Sequence, residues 1–288
     1  FFQVRIAGLK DQVAARMSTT TADGRSAGAQ LREVRARLLE LTAAAEALFV
    51  DGLVPALAAE GIEFARYGDL DGADRDWVDT MFADRVFPVL TPLAVDPGHP
   101  FPYISDLSLS LAVVVTDPVT GDHRFARIKV PDLLPRFVAL PDGRRHVPLE
   151  QVISAHLGVL FPGMEVGAHH AFRVTRNADL TVEEEEADDL LETIELELRR
   201  RRFGRAVRLE VTDDISAEIL DLLVDELDLT DDDLYRFACP LDLGGLFSLL
   251  GIDRPDLKFP TWSPITQPRL VGPDPDEPVD IFSVVRER

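Results

Sequence analysis

Two clusters of charged residues are the features of this sequence most able to carry out chemistry. Glu183–Glu186, Asp188 and Asp189 bring six carboxylates together within seven positions, and Arg199–Arg202 is a run of four arginines. Clustered carboxylates bind divalent cations, and guanidinium groups bind phosphate. A metal site and a phosphate site are therefore the two hypotheses that these clusters raise.

A single helix over Ala187–Arg202 accounts for both clusters without a ligand. Acidic residues near its beginning and arginines near its end complement the helix dipole, and Gly204 suits the left-handed backbone position that follows a helix. Glu195 and Arg199 also form a favourable pair four residues apart. We favour this helix and leave open only that some of its arginines contact a partner subunit or a phosphate chain.

The other side chains that could act in catalysis or metal binding form no recognisable catalytic or metal site. His169 and His170 are adjacent, and neighbouring side chains of a strand point to opposite faces, so the two should not ligate one metal together. The sequence has no glycine-rich phosphate loop, no G-x-S-x-G motif and no H-E-x-x-H motif. Cys239 is the only cysteine, which excludes an internal disulfide and a cysteine-based zinc site and is typical of a reducing compartment.

The first 60 residues predict helices that pack as part of a bundle. A polar connector over residues 18–28 separates two helices, each with one apolar stripe, and the stripe of the second helix follows a heptad. Gly52 and Pro55 predict a break or kink near residue 52. The stripes consist of Phe2, Ile6, Leu9, Val13 and Met17, and of Leu31, Val34, Leu38, Leu41, Ala45 and Leu48.

From Gly61 onward, hairpins alternate with helices. Leu107–Thr116 and His123–Val130 flank a turn-rich segment and predict a hairpin, and two separate strands are expected at Met164–His169 and Ala171–Thr175. Prolines between residues 88 and 102 forbid a helix and a central strand there. The expected fold class is α+β, with a truncated N-terminal helical bundle followed by a domain that has a mainly antiparallel sheet and helices.

The amino-acid composition and the net charge limit the classes of function that this chain can have. Of the 288 residues, 46% are hydrophobic, and 51 acidic residues against 30 basic ones give a net charge of -21. The chain can therefore form real cores, and its length suggests roughly two domains. An acidic surface repels polyanions, so nucleic acid is not an expected partner and any phosphate site must be local. No apolar run approaches the roughly 20 residues of a membrane-spanning helix.

Both ends of the sequence lie inside helical patterns. Phe1 comes directly before an apolar stripe without a capping residue, and the helix expected from Asp280 stops after about two turns, which is too short to be stable alone. We therefore expect an internal segment of a longer protein.

Seven segments carry motifs in a recognisable order. The most specific is the proline segment Arg85–Ser105, with the sequence RVFPVLTPLAVDPGHPFPYIS. This segment and six others, taken in their order along the chain, closely resemble bacterial polyphosphate kinases of the first family, which are ATP-polyphosphate phosphotransferases. The resemblance extends over nearly the whole chain. The other six are Phe1–Leu9, Phe125–Pro131, Leu160–Glu165, Phe172–Asp179, Asp256–Lys258 and Ile281–Arg288.

The resemblance implies a domain organisation. Residues 1–60 resemble the C-terminal part of the family's helical N-terminal domain, and residues 61–278 resemble its head domain, which makes dimer contacts. Residues 279–288 resemble the start of the phospholipase-D-like catalytic domain.

The resemblance also implies an activity for the longer protein. The family transfers the terminal phosphate of ATP reversibly onto inorganic polyphosphate, with Mg²⁺ and through a phosphohistidine. Its catalytic histidines and arginines would lie beyond Arg288, so we expect no catalytic and no metal-binding residue in this segment, which would be inactive alone. Arg286 and Arg288 are the candidates for phosphate contact, although cations at the end of a helix explain them more simply.

Two other interpretations remain. The segment could act as a non-catalytic dimerisation or regulatory module, forming a homodimer or higher oligomer through residues 61–278. It could also be a divergent relative with another role, which the intact proline segment disfavours. A cytoplasmic location is expected, with peripheral association with a membrane left open.

Overall fold

The computed structural model describes residues 1–17, 20–95, 101–178, 204–270 and 280–286. The helix predicted over Ala187–Arg202, with both charged clusters, lies outside the described residues. Contacts divide the chain into two units, Phe1–Ser248 and Leu249–Arg288. The α+β fold class is confirmed, because a helical N-terminal region precedes two sheets that are packed with helices.

The N-terminal region forms the helices that its apolar stripes predict. A π-helical turn, Phe2–Ile6, leads into helix α1 (Ala7–Ala14), and helix α2 (Ala27–Ala47) packs against α1. The side chain of Ser26 caps α2 by accepting a hydrogen bond from the backbone N–H of Ala29.

The expected break near residue 52 is a π-helical turn, Leu48–Leu53, after which helix α3 (Val54–Ala59) continues. A π-helical turn accommodates Gly52 and Pro55 by adding a residue to one turn, which kinks the helix without ending it.

The apolar stripe of α2 is covered only over its first half. Leu31, Val34 and Leu38 are half-buried, whereas Leu41 is 49% and Leu48 is 70% exposed.

One stretch, Ala27–Ala59, is long and apolar enough to cross a membrane by length and composition. Core helices of soluble proteins and signal sequences pass the same test, so one such helix is weak evidence for a membrane span. The absence of a membrane-spanning helix stays a prediction.

Nine strands form two sheets within the described residues. The larger sheet has the order β2-β4-β3-β7-β8-β9, with antiparallel neighbours except for the parallel pair β8 and β9, and the smaller sheet has the order β1-β6-β5. The strands are β1 (Glu63–Phe64), β2 (Leu93–Ala94), β3 (Leu109–Thr116), β4 (His123–Lys129), β5 (Phe137–Ala139), β6 (Arg145–Pro148), β7 (Glu165–Arg176), β8 (Ala206–Thr212) and β9 (Leu234–Phe237).

Each face of the larger sheet carries an apolar core. Strand β3 lies between β4 and β7 and is buried along its length to Val115, as expected for a central strand covered on both faces. One core contains Val78 and Ile153, and the other contains Ile219 and Leu223. The helices of the cores are α4 (Gly72–Met81), α5 (Leu149–Ala155), α6 (Leu157–Leu160) and α7 (Ala217–Glu226).

Two details of the sheet differ from the sequence prediction. The two strands expected on either side of His170 are one strand, β7, because a register shift opposite Val113 and Val115 lets the pairing with β3 continue. Strand β9 has only four residues and no alternating pattern that marks it.

The second unit is largely extended, as its prolines predict. It contains two short 3₁₀ turns, Pro255–Leu257 and Pro268–Leu270, and helix α8 (Ile281–Arg286). None of its described residues is buried, and the side chains of Phe259, Trp262 and Ile265 are 99%, 80% and 89% exposed.

Candidate functional site

The proline segment Arg85–Ser105 lies along one edge of the larger sheet. Within its described part, Phe87–Val89 forms a 3₁₀ turn, and β2 is an edge strand paired with β4. The prediction that prolines exclude a central strand here is confirmed. Phe101 stacks on Phe125 of β4, with 5.3 Å between ring centroids, so two of the motif segments meet in space.

Arg176 of a third motif segment fixes the end of the proline segment. Its guanidinium lies 4.6 Å from the ring centroid of Tyr103, and its Nε donates a hydrogen bond to the carbonyl of Ile104 at 2.7 Å. Its Nη1 donates to the carbonyl of Gly204 at 3.0 Å. Burial lowers the pKa of Arg176. These contacts occupy the guanidinium, so Arg176 ties the motif segments together.

The arginine of the motif Phe125–Pro131 is also engaged by its surroundings. Arg127 is 6% exposed, and it donates from Nε to the hydroxyl of Ser110 at 3.1 Å and from Nη2 to that of Ser108 at 3.4 Å. Burial lowers the pKa of Arg127. Its role in the fold is to join β4 to β3.

The histidines are held by local contacts. His169 is exposed while the side chain of His170 is 14% exposed and accepts a hydrogen bond from the backbone N–H of Ser216, so the two alternate as predicted. Every described histidine has a ring nitrogen next to a polar partner: Thr116 Oγ1 for His123, the carbonyls of Arg144, Val152 and Gly167 for His146, His156 and His169, and Ser216 for His170.

One cluster of titratable groups was not predicted. His156 stacks on Phe82 with 4.0 Å between centroids, and its Nε2 lies 3.1 Å from Oδ1 of Asp79. The hydroxyl of Tyr67 donates to the same oxygen at 2.6 Å, and burial together with this carboxylate raises the pKa of Tyr67 to about 12. The cluster joins α4 to the residue that follows α5, and no pattern in the sequence could have paired residues 77 positions apart.

The phosphate-contact candidates lie at the end of the chain. Arg286 is the last residue of α8 and is exposed, whereas Arg288 lies outside the described residues. Among the described residues, no group of three or more histidine, cysteine, aspartate or glutamate side chains could hold a metal ion.

A cavity of about 470 Å³ separates the helices α1 and α2 from strands β8 and β9. Ile6, Val13 and Leu31 contribute apolar surface to the lining, and Tyr235 contributes an aromatic ring. The guanidinium of Arg208 lies 4.7 Å from the ring centroid of Tyr235 and 4.5 Å from that of Phe2.

Two family models match the chain in order. They are the "Polyphosphate kinase N-terminal domain", over residues 1–65, and the "Polyphosphate kinase middle domain", over residues 73–249.

Curated relatives match over the whole chain. A polyphosphate kinase of Streptomyces coelicolor is 50% identical over 288 residues, which are 100% of this chain and 38% of that protein. A polyphosphate kinase of Mycobacterium tuberculosis is 46% identical over 301 aligned residues and is covered to 40% of its length. The chain therefore spans about two fifths of the length of these relatives.

A solved structure shares the fold. The crystal structure of polyphosphate kinase from Porphyromonas gingivalis superposes with a TM-score of 0.70 over 96% of this chain and 38% of that chain, at 22% identity.

The fold and its motif segments define a two-sheet α+β module preceded by helices. The middle-domain model alone covers more than half of the chain, and the sequence resemblance is thereby confirmed. The chain belongs to the polyphosphate kinase family.

Proposed function

We propose that the chain is part of an enzyme that reversibly transfers the terminal phosphate of ATP onto inorganic polyphosphate, with Mg²⁺ and through a phosphohistidine. The observation that carries the proposal is the ordered match of the two polyphosphate kinase family models. Relatives of the same name extend well beyond the matched residues and leave room for a separate catalytic region. ATP, ADP and polyphosphate would be the ligands of the longer, cytoplasmic protein.

The chain of 288 residues would itself be inactive. A phosphohistidine needs a ring nitrogen that is free to attack the terminal phosphorus, with cations around the transferred group. Within the described ranges, Arg176 and Arg127 of the motif segments are engaged by the fold and do not supply these cations. Arg286 is exposed and stays the candidate for contact with phosphate.

Labelling with γ-³²P-ATP and Mg²⁺ tests this assignment. The 288-residue chain should acquire no acid-labile label and should make no polyphosphate, whereas a complete polyphosphate kinase does both under the same conditions. Acid-labile label on the chain alone would overturn its assignment as a non-catalytic segment. DNA sequence on both sides of the coding segment tests the proposal for the longer protein, which requires an open frame with further histidines and arginines.

A second candidate, a dimerisation or regulatory module, is favoured by the apolar surface of the proline segment. Phe87, Val89 and Leu93 are 43%, 47% and 40% exposed on one edge of the larger sheet. Light scattering at increasing concentration should show a homodimer or higher oligomer. A monomer mass at every concentration would exclude the dimerisation role.

A further inference from the structure

The cavity between α1, α2, β8 and β9 has the size and lining of a small-molecule site. Its volume of about 470 Å³ lies within the roughly 300 to 1,000 Å³ typical of such sites. Ile6, Val13 and Leu31 offer apolar contacts, and Tyr235 offers an aromatic one. The apolar part of the lining favours a ligand that has an apolar body.

The lining of this cavity has a larger share of cationic side chains than the chain as a whole. The chain has 30 basic and 51 acidic residues, yet the lining has four cationic side chains against three carboxylates. Three of the four cations are matched: Lys10 Nζ lies 2.6 Å from Asp233 Oδ2, Arg35 Nε lies 3.6 Å from Asp232 Oδ1, and Arg205 Nη2 lies 2.8 Å from Asp11 Oδ1.

The fourth cation, Arg32, has no carboxylate or hydrogen-bond partner in the part of the chain that the structure describes. Its Nη1 lies 3.7 Å from the position that a Cβ would take at Gly28, so the guanidinium folds over the first turn of α2. Both residues line the cavity. A guanidinium without a partner, beside the apolar part of the lining, can form two parallel hydrogen bonds with a carboxylate, sulfonate or phosphate.

We propose that this cavity binds an organic anion, with the apolar body against α1 and α2 and the anionic group on Arg32. The carboxylate of Asp228 also lines the cavity and has no ion-pair partner among the described residues. It opposes an anion and therefore limits the affinity, which gives the proposal a test of opposite sign.

A fluorescent aromatic sulfonate, 1-anilinonaphthalene-8-sulfonate, is a suitable probe because it combines an apolar body with an anionic group. Titration of the 288-residue chain should show one saturable site. Arg32→Met should weaken the Kd about tenfold by removing one charge-assisted contact. Ala14→Phe, which adds a ring at the cavity wall, should abolish the saturable phase.

One further variant tests the opposite sign, and another serves as the control. Asp228→Asn should tighten the Kd about twofold to threefold by removing a like charge at partly exposed positions. Arg37→Met should change nothing, because Arg37 lies on α2 outside the lining and pairs with Glu40 at the surface.

Far-UV circular dichroism should show the same helix content in all variants. As a second readout, ¹⁵N amide shifts of Gly28 and Leu31 should move on addition of the probe. Equal affinity of the wild type, Arg32→Met and Ala14→Phe, or amide shifts confined to other residues, would overturn the proposal.

Discussion

Cys239 is placed where its thiol should react slowly. The residue is 4% exposed, and burial together with the nearby carboxylate of Glu46 raises the pKa of the thiol to about 11. Only the thiolate is nucleophilic, and the ordinary pKa of the thiol from which this shift starts is 9.0. At pH 8 we expect the native chain to react with a disulfide reagent about 100-fold more slowly than the chain in urea.

Because Cys239 is the only cysteine, the absorbance of the released thiol reports this site alone. Glu46→Gln should accelerate the native reaction, since it removes the charge and keeps an oxygen that can accept the hydrogen bond from the backbone N–H of Ala238. Equal rates in native buffer and in urea would contradict the prediction.

Tyr67 should contribute a pH-dependent part of the stability. Its pKa in the folded chain is raised from 10.0 to about 12, first by burial and then by Asp79. The folded pKa lies above the unfolded one, so this contribution is fully present below pH 10 and is lost as the pH rises toward 12.

The measurement is the free energy of unfolding in urea at pH 8 and pH 11.5 for the wild type and for Tyr67→Phe. The wild type should lose more stability between the two pH values than the variant. Other tyrosines remain in both proteins, so the difference isolates Tyr67. Parallel pH profiles would show that ionisation of Tyr67 is not coupled to folding.

At the scale of elements, the close approach between the start of β8 and the end of β7 depends on Gly204. Its φ is +68°, and an added Cβ would clash with the carbonyl oxygen of Asn177. Gly204→Ala should therefore destabilise the fold by about 3 kcal/mol or more, combining backbone strain with a clash against main-chain atoms.

Gly121 provides the matched control. Its φ is +76°, but an added Cβ would have no atom within 4 Å. Gly121→Ala should cost only about 1 to 2 kcal/mol, the strain of a left-handed residue. Chemical denaturation of both variants gives the two values, and equal losses would show that the contact with Asn177 can relax.

Local patterns predicted the elements whose residues are neighbours in sequence. The apolar stripe gave α2, and the alternating runs around residues 117–122 gave the β3–β4 hairpin, because periodicity and turn residues act within one element. Gly52 and Pro55 likewise predicted the break that is the π-helical turn Leu48–Leu53, whereas strand β9 was missed because tertiary packing decides it.

The candidate functional residues show the same difference between features that a local pattern predicts and features that tertiary contacts decide. The alternation of His169 and His170 followed from strand geometry alone. The partners of Arg176 lie 28 to 73 positions away, at Gly204, Ile104 and Tyr103, and no spacing rule connects them. Three of the four cations around the cavity are paired with carboxylates, and these ion pairs likewise form only when α1, α2 and the ends of β8 and β9 meet.

At the scale of the whole molecule, stability should reside in the first unit. All buried residues of the described chain lie before Ser248, and both apolar cores belong to that part. The free energy of burial scales with the apolar area removed from water, at about 25 cal/mol per Å². The exposed side chains of Phe259, Trp262 and Ile265 therefore add almost nothing to folding.

A chain that ends at Ser248 should consequently unfold at the same temperature as the 288-residue chain, to within about 2 °C. Calorimetry measures both midpoints, and the fluorescence of Trp262 gives an internal check. Its emission in the longer chain should match that of free tryptophan in water, because its side chain is 80% exposed. Trp77→Phe removes the other tryptophan and makes this reading specific. A lower midpoint for the shorter chain, together with blue-shifted emission, would mean that the segment after Ser248 buries its aromatic side chains in solution, for example against a second copy of the chain.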